Sequence, residues 1–353
     1  MELKNLRRKI DDIDAQLLAL LNARAQVSLE VGQAKHKNGR NVYVPEREQQ
    51  LLARLKTLNA GPMNNEALEA IWREIMSSSL SLEKPLRIAY LGGRGSNSWL
   101  AAVRKFGSQL EYVGCQSIPE VFESVQRKEA DYGMVPIENS VEGAVTPTID
   151  MLVDSDLQVC AHILVRISHA FLCKGPVSAV KKVYSNPQVL AQCRNWLLAN
   201  YPPQRVQHIS VAATTDAVKL ALTERGAAAL ASPECARIYG LPIIKADIQD
   251  FAHNATRFFV IAHHDAAATG KDRTSIVFSI KDRVGALSSI LTPFARSRIN
   301  LTKIESRPIK KKAWDYYFFL DIEGHRDDPK IRKALLRLEG MCKFMKILGS
   351  YPV

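Results

Sequence analysis

The chain has 353 residues, enough for two or three domains, and its 46% hydrophobic and 24% charged residues are ordinary globular composition that excludes global disorder. No apolar run approaches the ~18–20 residues of a membrane span, and the charged N-terminal stretch MELKNLRRKIDDID lacks the apolar core of a signal peptide, so a cytoplasmic protein with no membrane partner is expected. The net charge of +12 is concentrated in residues 271–353, which carry 18 basic and 9 acidic side chains; with no nucleic-acid motif beside it, this reads as a solvated basic face and no nucleic-acid partner is expected.

Residues 1–84 read as helical. Leu6, Ile10, Ile13, Leu17, Leu20, Val27, Val31 and Ala34 recur at alternating steps of four and three, with a gap at position 24. A helix over Asn5 to Lys35 would be roughly 45 Å long at ~1.5 Å per residue. Two shorter helices are predicted near 46–58 and 64–82, separated by Gly61-Pro62. Three helices of such unequal length bury that seam poorly, so an intertwined homodimer, or a higher oligomer built from it, is predicted.

From Pro85 the period changes. RIAYL (87–91), EYVGC (111–115), DYGMV (131–135), KVYS (182–185), VQHIS (206–210) and AAALAS (227–232) read as strands. Helices near 98–106, 118–128, 187–199 and 213–224 lie between them, which predicts a mostly parallel sheet covered by helices, with room for two lobes. AAATGK (266–271) reads as a linker. Beyond it the order strand 274–281, helix 286–297, strand 300–309, strand 314–322, helix 329–339, strand 343–348 is the ferredoxin-like βαββαβ plan. The six cysteines form no C-x-x-C pair, so neither a metal nor a redox motif is indicated and reduced thiols are expected.

Arg24 stands at the seam step that should be apolar, and a buried guanidinium there calls for an anion. Lys35 is eleven residues on, nearly whole turns, so the two cations share a face about 16 Å apart and can clamp a small dianion. Arg7 is about 100° out of phase with Arg24 and points elsewhere, toward a partner subunit's site. Ser79 and Glu83 share a face of the third helix, and Arg47 and Glu48 lie near the start of the second. The alternative is a set of solvated helix charges.

LRRKIDDIDAQLLALLNAR, VGQAK and PEREQQLL closely resemble the all-helical chorismate mutases over nearly all of 1–84. The resemblance implies a homodimer whose two sites each borrow one arginine, here Arg7. It implies that Arg24 and Lys35 bind carboxylate and ether oxygen, and that Arg47, Glu48 and Ser79 make further substrate contacts. Val44 stands where an aspartate is usual and Glu83 where a glutamine is usual. The reaction is a pericyclic rearrangement, so catalysis means holding one conformer and stabilising charge on the breaking ether oxygen. Lys35 can donate there; Glu83 can do so only when protonated, so mutase activity is expected to fall as pH rises.

In the middle segment, Gly93-x-Gly95-x-x-Ser98 follows a strand and misses the dinucleotide fingerprint at its third glycine, which keeps an NAD-dependent dehydrogenase as the alternative enzyme. A tight turn with Ser96 and Ser98 as helix caps, or a carboxylate site at the helix N-terminus, are the other readings. Val135-Pro-Ile-Glu-Asn-Ser140, Tyr184-Ser-Asn-Pro-Gln188 with Gln192, and Asn254-Ala-Thr-Arg-Phe258 each sit at a strand end. Together they resemble prephenate dehydratase over 86–263. The resemblance implies two α/β lobes of the periplasmic-binding-protein kind, with the site in the cleft between them. Carried over by position, the candidates are Glu138, Asn139, Ser185, Gln192 and Thr256. The departing hydroxyl needs a proton donor, for which Thr256 is the first choice and Glu138 the second; Arg257 either orients carboxylates or is structural. Gly93, Asn97 and Asn186 replace the proline, aromatic and histidine usual in that family, which leaves a metabolite sensor without turnover as another alternative.

Val284-Gly-Ala-Leu287 and Glu305-Ser-Arg-Pro308 resemble the regulatory ACT domain over 272–353. There the resemblance implies a phenylalanine site at a subunit interface built from Gly285, Ala286, Leu287, Glu305, Ser306, Arg307 and Pro308. The whole therefore resembles a bifunctional enzyme with chorismate and prephenate as substrates, phenylalanine as allosteric effector, and no cofactor.

Overall fold

A computed structural model describes residues 3–39, 41–281, 283–308 and 316–353. The chain divides into two compact units: residues up to Arg87 together with Val103–Glu111, and Ile88–Ala102 together with Tyr112–Val353.

The first unit is helical, with α1 (Leu3–Lys37), α2 (Pro45–Leu58) and α3 (Asn65–Glu83). Pro45 opens α2 where a missing N–H is harmless, and Asn64 caps α3 by accepting from the Ala67 N–H at 2.7 Å. The seam of α1 is exposed along its length: Leu6 is 56% exposed, Ile13 54%, Leu20 67% and Val27 57%. So the helix forms as its pattern predicts, while one chain leaves its apolar stripe largely uncovered.

The second unit begins with β1 (Arg87–Leu91), α4 (Asn97–Phe106), β2 (Glu111–Cys115), α5 (Ile118–Gln126), β3 (Tyr132–Asn139), β4 (Gly143–Ala144), α6 (Thr146–Asp154) and β5 (Gln158–Arg166), which build a first lobe. The chain then crosses to a second lobe of β6 (Ala170–Cys173), β7 (Lys182–Ser185), α7 (Pro187–Gln192), α8 (Arg194–Asn200), β8 (Gln207–Ser210), α9 (Thr214–Thr223), β9 (Ala227–Ala231), α10 (Pro233–Tyr239) and β10 (Ile243–Lys245). It crosses back, and β11 (Ala255–Ala262) enters the first sheet between β3 and β5.

That return corrects the mostly parallel expectation. The first sheet runs β2-β1-β3-β11-β5 and the second β10-β6-β9-β7-β8; β1 and β3 are parallel, as are β7 with β8 and with β9. β11 is antiparallel to both its neighbours, and β6 is antiparallel to β9 and β10, because each is laid down by a chain arriving from the other lobe or a hairpin rather than through a helical crossover. Two further expectations change. β3 continues through Asn139, so Glu138 and Asn139 of its polar triplet lie within the strand and Ser140 begins the turn. The predicted helix 187–199 breaks at Cys193, because the Gln192 carbonyl accepts from the Asp250 N–H at 2.7 Å and Asp250 then caps α8 through the Asn195 N–H.

β12 (Asp272–Ser279), α11 (Ala286–Arg296), β13 (Leu301–Pro308), β14 (Tyr316–Glu323), α12 (Pro329–Glu339) and β15 (Phe344–Pro352) follow, in the βαββαβ order. The sheet is antiparallel, ordered β13-β14-β12-β15 as the ferredoxin-like plan requires. The ends predicted at 309 and 314–315 lie outside the described residues. One face of this sheet is covered by α11 and α12 through Phe278, Ile290, Phe294 and Leu335. Its other face packs on the first lobe, where Val277, Phe319, Leu348 and Tyr351 share a core with Val159, Phe259 and Ile261. Gly349, at φ +148, marks the closest approach: a Cβ there would lie 2.2 Å from the Val159 carbonyl oxygen. The stretch predicted as a linker is anchored as well, since Thr269 and Gly270 donate to Asp272 and Ala266 donates to Ser350.

Candidate active sites

The helical unit encloses a cavity of about 450 Å³. Arg24 and Lys35 of α1, Arg47 and Glu48 of α2, and Ser79 and Glu83 of α3 all line it. Arg24 donates to Ser79 Oγ. Burial lowers the Arg24 guanidinium pKa, and Glu83 opposes that in part. Lys35 Nζ lies 2.8 Å from Glu83 Oε2 and 2.7 Å from the Val42 carbonyl, which aims the ammonium into the cavity. Val44 adds an apolar wall. Arg7 is exposed and lies outside this cavity.

The Glu48 side chain is largely withdrawn from solvent, with 10% exposed. Burial alone would raise its pKa, but the charges of Lys105 and Arg73, with a hydrogen bond from Tyr43, outweigh it and hold the carboxyl below its ordinary range. Arg73, Lys105 and Phe106 were not singled out from the sequence. Arg73 and Lys105 carry no motif of their own, and only the fold brings residue 105 beside residue 48.

In the second unit the strand pairing sorts the candidates by face. Thr256 lies opposite Asn139 and Arg257 opposite Glu138. Successive residues of a strand point to opposite faces, so these are two different sites. On one face, Asn139 Nδ2 donates to Thr256 Oγ1 at 2.9 Å and to Asn254 Oδ1 at 2.7 Å. Asn254 Nδ2 donates to Gln192 Oε1 at 3.0 Å, and Gln192 Nε2 donates to Glu142 Oε1 at 2.5 Å. His169 Nε2 lies 2.8 Å from the same Gln192 oxygen, and burial keeps this imidazole neutral by lowering its pKa. Because Gln192 Oε1 only accepts, His169 carries its proton on Nε2. The cluster spans both lobes: Asn139, Glu142, Asn254 and Thr256 come from the first, while Gln192 and His169 come from the second and the crossover into it. Asn254, Glu142 and His169 are additions to the predicted set. Asn254 was legible as the residue opening the last motif; His169 has no local signature.

On the other face, Arg257 lies 2.8 Å from Glu138 Oε1 through Nε and donates through Nη2 to Asp321 of β14. Lys303 of β13 pairs with the second Glu138 oxygen. Ser275 donates to Asp321 and shares a hydrogen bond with the Tyr351 hydroxyl. Glu138 is therefore not brought together with Asn139, Thr256 and Gln192, and its carboxylate is engaged by two cations.

Ser185 also differs from expectation. It is fully buried and donates to the Leu230 carbonyl at 2.8 Å, tying β7 to β9. Asn186, where the resemblance called for histidine, caps α7 by accepting from the Val189 N–H at 2.8 Å. The glycine loop before α4 is a capped turn: Ser96 Oγ accepts from the Trp99 N–H. Its Arg94 and Gly95 carbonyls accept from Tyr239 and Ser232 of the second lobe.

In the C-terminal segment, Gly285 holds φ +76 at the N-terminus of α11, followed by Ala286 and Leu287. A pocket of about 280 Å³ beside it is lined by Arg283, Ala286, Ser289 and Met341 among others. Glu305, Ser306, Arg307 and Pro308 lie on β13, an edge strand. Arg307 faces inward and forms a two-pronged pair with Asp150 of α6, while Ser306 and Pro308 face solvent. Within one chain the two effector motifs are not joined by these contacts.

Among the described residues no helix is long and apolar enough to cross a membrane, and no group of three acidic, histidine or cysteine side chains is placed to hold a metal ion.

Comparison with known proteins gives three family matches: chorismate mutase type II over residues 6–84, prephenate dehydratase over 88–266, and the ACT domain over 274–340. The bifunctional chorismate mutase/prephenate dehydratase of Aquifex aeolicus (strain VF5) is 46% identical over 356 residues, covering 99% of this chain and 98% of that one. The protein of the same description from Neisseria gonorrhoeae (strain ATCC 700825 / FA 1090) is 43% identical, covering 98% of this chain and 96% of that one. Among solved structures, the prephenate dehydratase of Arthrobacter aurescens in complex with L-Phe is 30% identical with a TM-score of 0.70, covering 76% of this chain and 90% of that one.

Proposed function

The chain belongs to the bifunctional chorismate mutase/prephenate dehydratase family, and from that membership we propose how its residues divide the work. It converts chorismate to prephenate, and prephenate to phenylpyruvate, under the control of an ACT domain that responds to phenylalanine. Residues 1–84 carry the first reaction, 86–263 the second and 272–353 the regulation. One observation carries this reading: the two chemistries have differently charged surroundings. The helical cavity sets five cationic side chains against two carboxylates. The interlobe cluster instead places amides, a hydroxyl and the His169 imidazole around Gln192 and Thr256, with Glu142 as its one carboxylate and no lysine or arginine among these contacts.

A pericyclic rearrangement of a dianion needs a cationic, shaped container. Arg24 and Arg47 neutralise the carboxylates and Lys35 donates to the ether oxygen as its bond to carbon breaks. Glu83, paired with Lys35, keeps that ammonium in place and adds a second donor when protonated. Arg7 serves the partner's cavity in a homodimer. The exposed stripe from Leu6 to Leu20 supports this, since a second α1 is the natural cover for a seam of that period.

In the dehydratase, carbon dioxide and the ring hydroxyl leave together as the ring becomes aromatic. Asn139 donates to Thr256 Oγ1, so the threonine proton is left to point at the departing hydroxyl and relieve its developing charge. Gln192, whose amide N–H donates to Glu142, is assigned to orient a substrate carboxylate. Glu138 is reassigned from proton donor to a structural link with the ACT domain, because it sits with Arg257 and Lys303 on the opposite face. Ser185 is likewise structural.

Phenylalanine binding is assigned to the turn Gly285–Leu287 of one chain with Glu305–Pro308 of another. The edge position of β13 supports this, since its outer backbone groups are available to a second copy.

The test is a product assay with purified protein, chorismate alone, no nicotinamide and no metal. Phenylpyruvate is expected. Prephenate accumulating without phenylpyruvate would overturn the dehydratase half.

A further inference from the structure

The mutase likeness ends at residue 84, yet the compact helical unit does not. Val103–Glu111 belongs to it, and that segment is pinned to α3 by three contacts. The Ser108 N–H and hydroxyl both donate to Glu74, and the Gln109 N–H donates to Ser77 Oγ at 3.1 Å. Between them Gly107 meets Ser77 so closely that a Cβ would lie 2.4 Å from the serine Cβ. This docking delivers two side chains to the cavity wall. Phe106 packs on Tyr43 with ring centroids 4.8 Å apart, and Lys105 reaches Glu48 Oε2 at 3.3 Å. Arg73 completes the arrangement: its Nη1 lies 2.9 Å from Glu48 Oε1 and 2.8 Å from the Lys105 carbonyl.

We propose that Lys105 is a positioning residue of the mutase site, supplied from outside the mutase-like sequence, which fixes the Glu48 carboxylate against the cavity in the orientation that receives the substrate's hydroxyl group. This rests on the mutase reading of the helical unit. Each Glu48 oxygen is held by a different cation, Arg73 on one side and Lys105 on the other, with the Tyr43 hydroxyl donating to the second oxygen at 2.8 Å. A carboxylate pinned at both oxygens cannot rotate, and an ionised carboxylate is an acceptor only, which suits a hydroxyl donor. Removing Lys105 leaves the second oxygen held by the Tyr43 hydroxyl alone and reduces the cavity's cations from five to four. The charged and titratable groups that face Glu48 are Tyr43, Arg73 and Lys105. Arg24, Lys35, Arg47 and Glu83 also line the cavity.

The full-length Lys105→Met and Lys105→Arg variants are assayed for mutase initial rates across pH 5 to 9, and for dehydratase rates on supplied prephenate. In Lys105→Met we expect kcat/KM for chorismate to fall at least tenfold. The acid limb of its profile should move to higher pH, because Glu48 loses a cation that keeps it ionised. Lys105→Arg should recover most of the loss, and the dehydratase rates of both should stay within twofold of wild type. Mutase kinetics in Lys105→Met within twofold of wild type, or a loss with an unmoved acid limb that arginine does not rescue, would overturn the proposal. A wild-type chain that makes no prephenate from chorismate would instead remove the mutase reading and this proposal with it.

Discussion

The Asp321→Ala substitution tests the link between the dehydratase sheet and the ACT sheet. Asp321 is fully buried and takes hydrogen bonds from Arg257 and Ser275. With charge centres about 4 Å apart and an effective dielectric constant near 20, the Arg257–Asp321 attraction is about 4 kcal/mol. Truncating one partner of a buried pair typically costs about 3–5 kcal/mol, because the other charge is left without compensation. Glu138 remains 2.8 Å from Arg257 but is 32% exposed and shared with Lys303, so it replaces only part of the loss. We expect destabilisation of about 3 kcal/mol for Asp321→Ala and a similar figure for Arg257→Met. The double variant leaves no orphan charge, so it should fall short of the sum by more than about 1.5 kcal/mol. Urea unfolding of the full chain, followed by near-ultraviolet circular dichroism to which Phe259, Phe319 and Tyr351 contribute, gives the four values of the cycle. Additivity within about 0.5 kcal/mol would refute the claim that this pair couples the two sheets.

Thr256→Val should lower dehydratase kcat by about 10²–10⁴-fold while leaving mutase rates unchanged; a value within tenfold of wild type would remove the hydroxyl from the mechanism. Glu83→Gln places a neutral amide donor beside Lys35, so mutase initial rates should rise, and unaltered rates would count against a donor at this position. Glu305→Ala and Gly285→Val should each blunt inhibition of phenylpyruvate formation by phenylalanine; inhibition curves superimposable on wild type would sink the assigned effector site. Burial pushes the Cys193 and Cys235 thiols up to about 12 and Cys342 up to about 11. Native protein at pH 8 should therefore react slowly with a thiol-specific disulfide reagent, and rapid titration of Cys193 or Cys235 would contradict their packing.

Part of the helical cavity was legible in the sequence, because a helix converts spacing into direction, while Arg73 and Lys105 of its wall were not. Arg24 and Lys35 are eleven residues apart, and Ser79 and Glu83 four, so their shared faces follow from helical geometry alone. The dehydratase site was legible as motifs but not as faces. Glu138 and Asn139 are adjacent in sequence and point to opposite sides of one strand, a division that depends on which partner covers each side. The partner of Glu138 is Lys303, 165 residues away, which no local pattern predicts. The mixed sheets were missed for a related reason. Ala255–Ala262 reads as a strand, but its direction is set by a chain returning from the second lobe. Ser185 and Asn186 looked like cleft residues by position, while their actual bonds, to Leu230 and the Val189 N–H, are local demands of a strand end and a helix start.

The seating of β15 against β5 bears on the order in which the chain matures. Val159, Phe259 and Ile261 acquire their cover from Leu348 and Tyr351, and Lys346 reaches back to the carbonyls of Leu152 and Ser155. On a ribosome moving at about 5–20 residues per second, the first lobe's strands are all present roughly 5–20 s before that cover is made. During this interval the part of the sheet not covered by α5 and α6 is an exposed apolar surface, open to chaperones or to neighbouring nascent chains. Slowing translation between residues 262 and 344 should lengthen that vulnerable period, and a lesion near Gly349 would be felt first as lost soluble yield rather than as altered regulation.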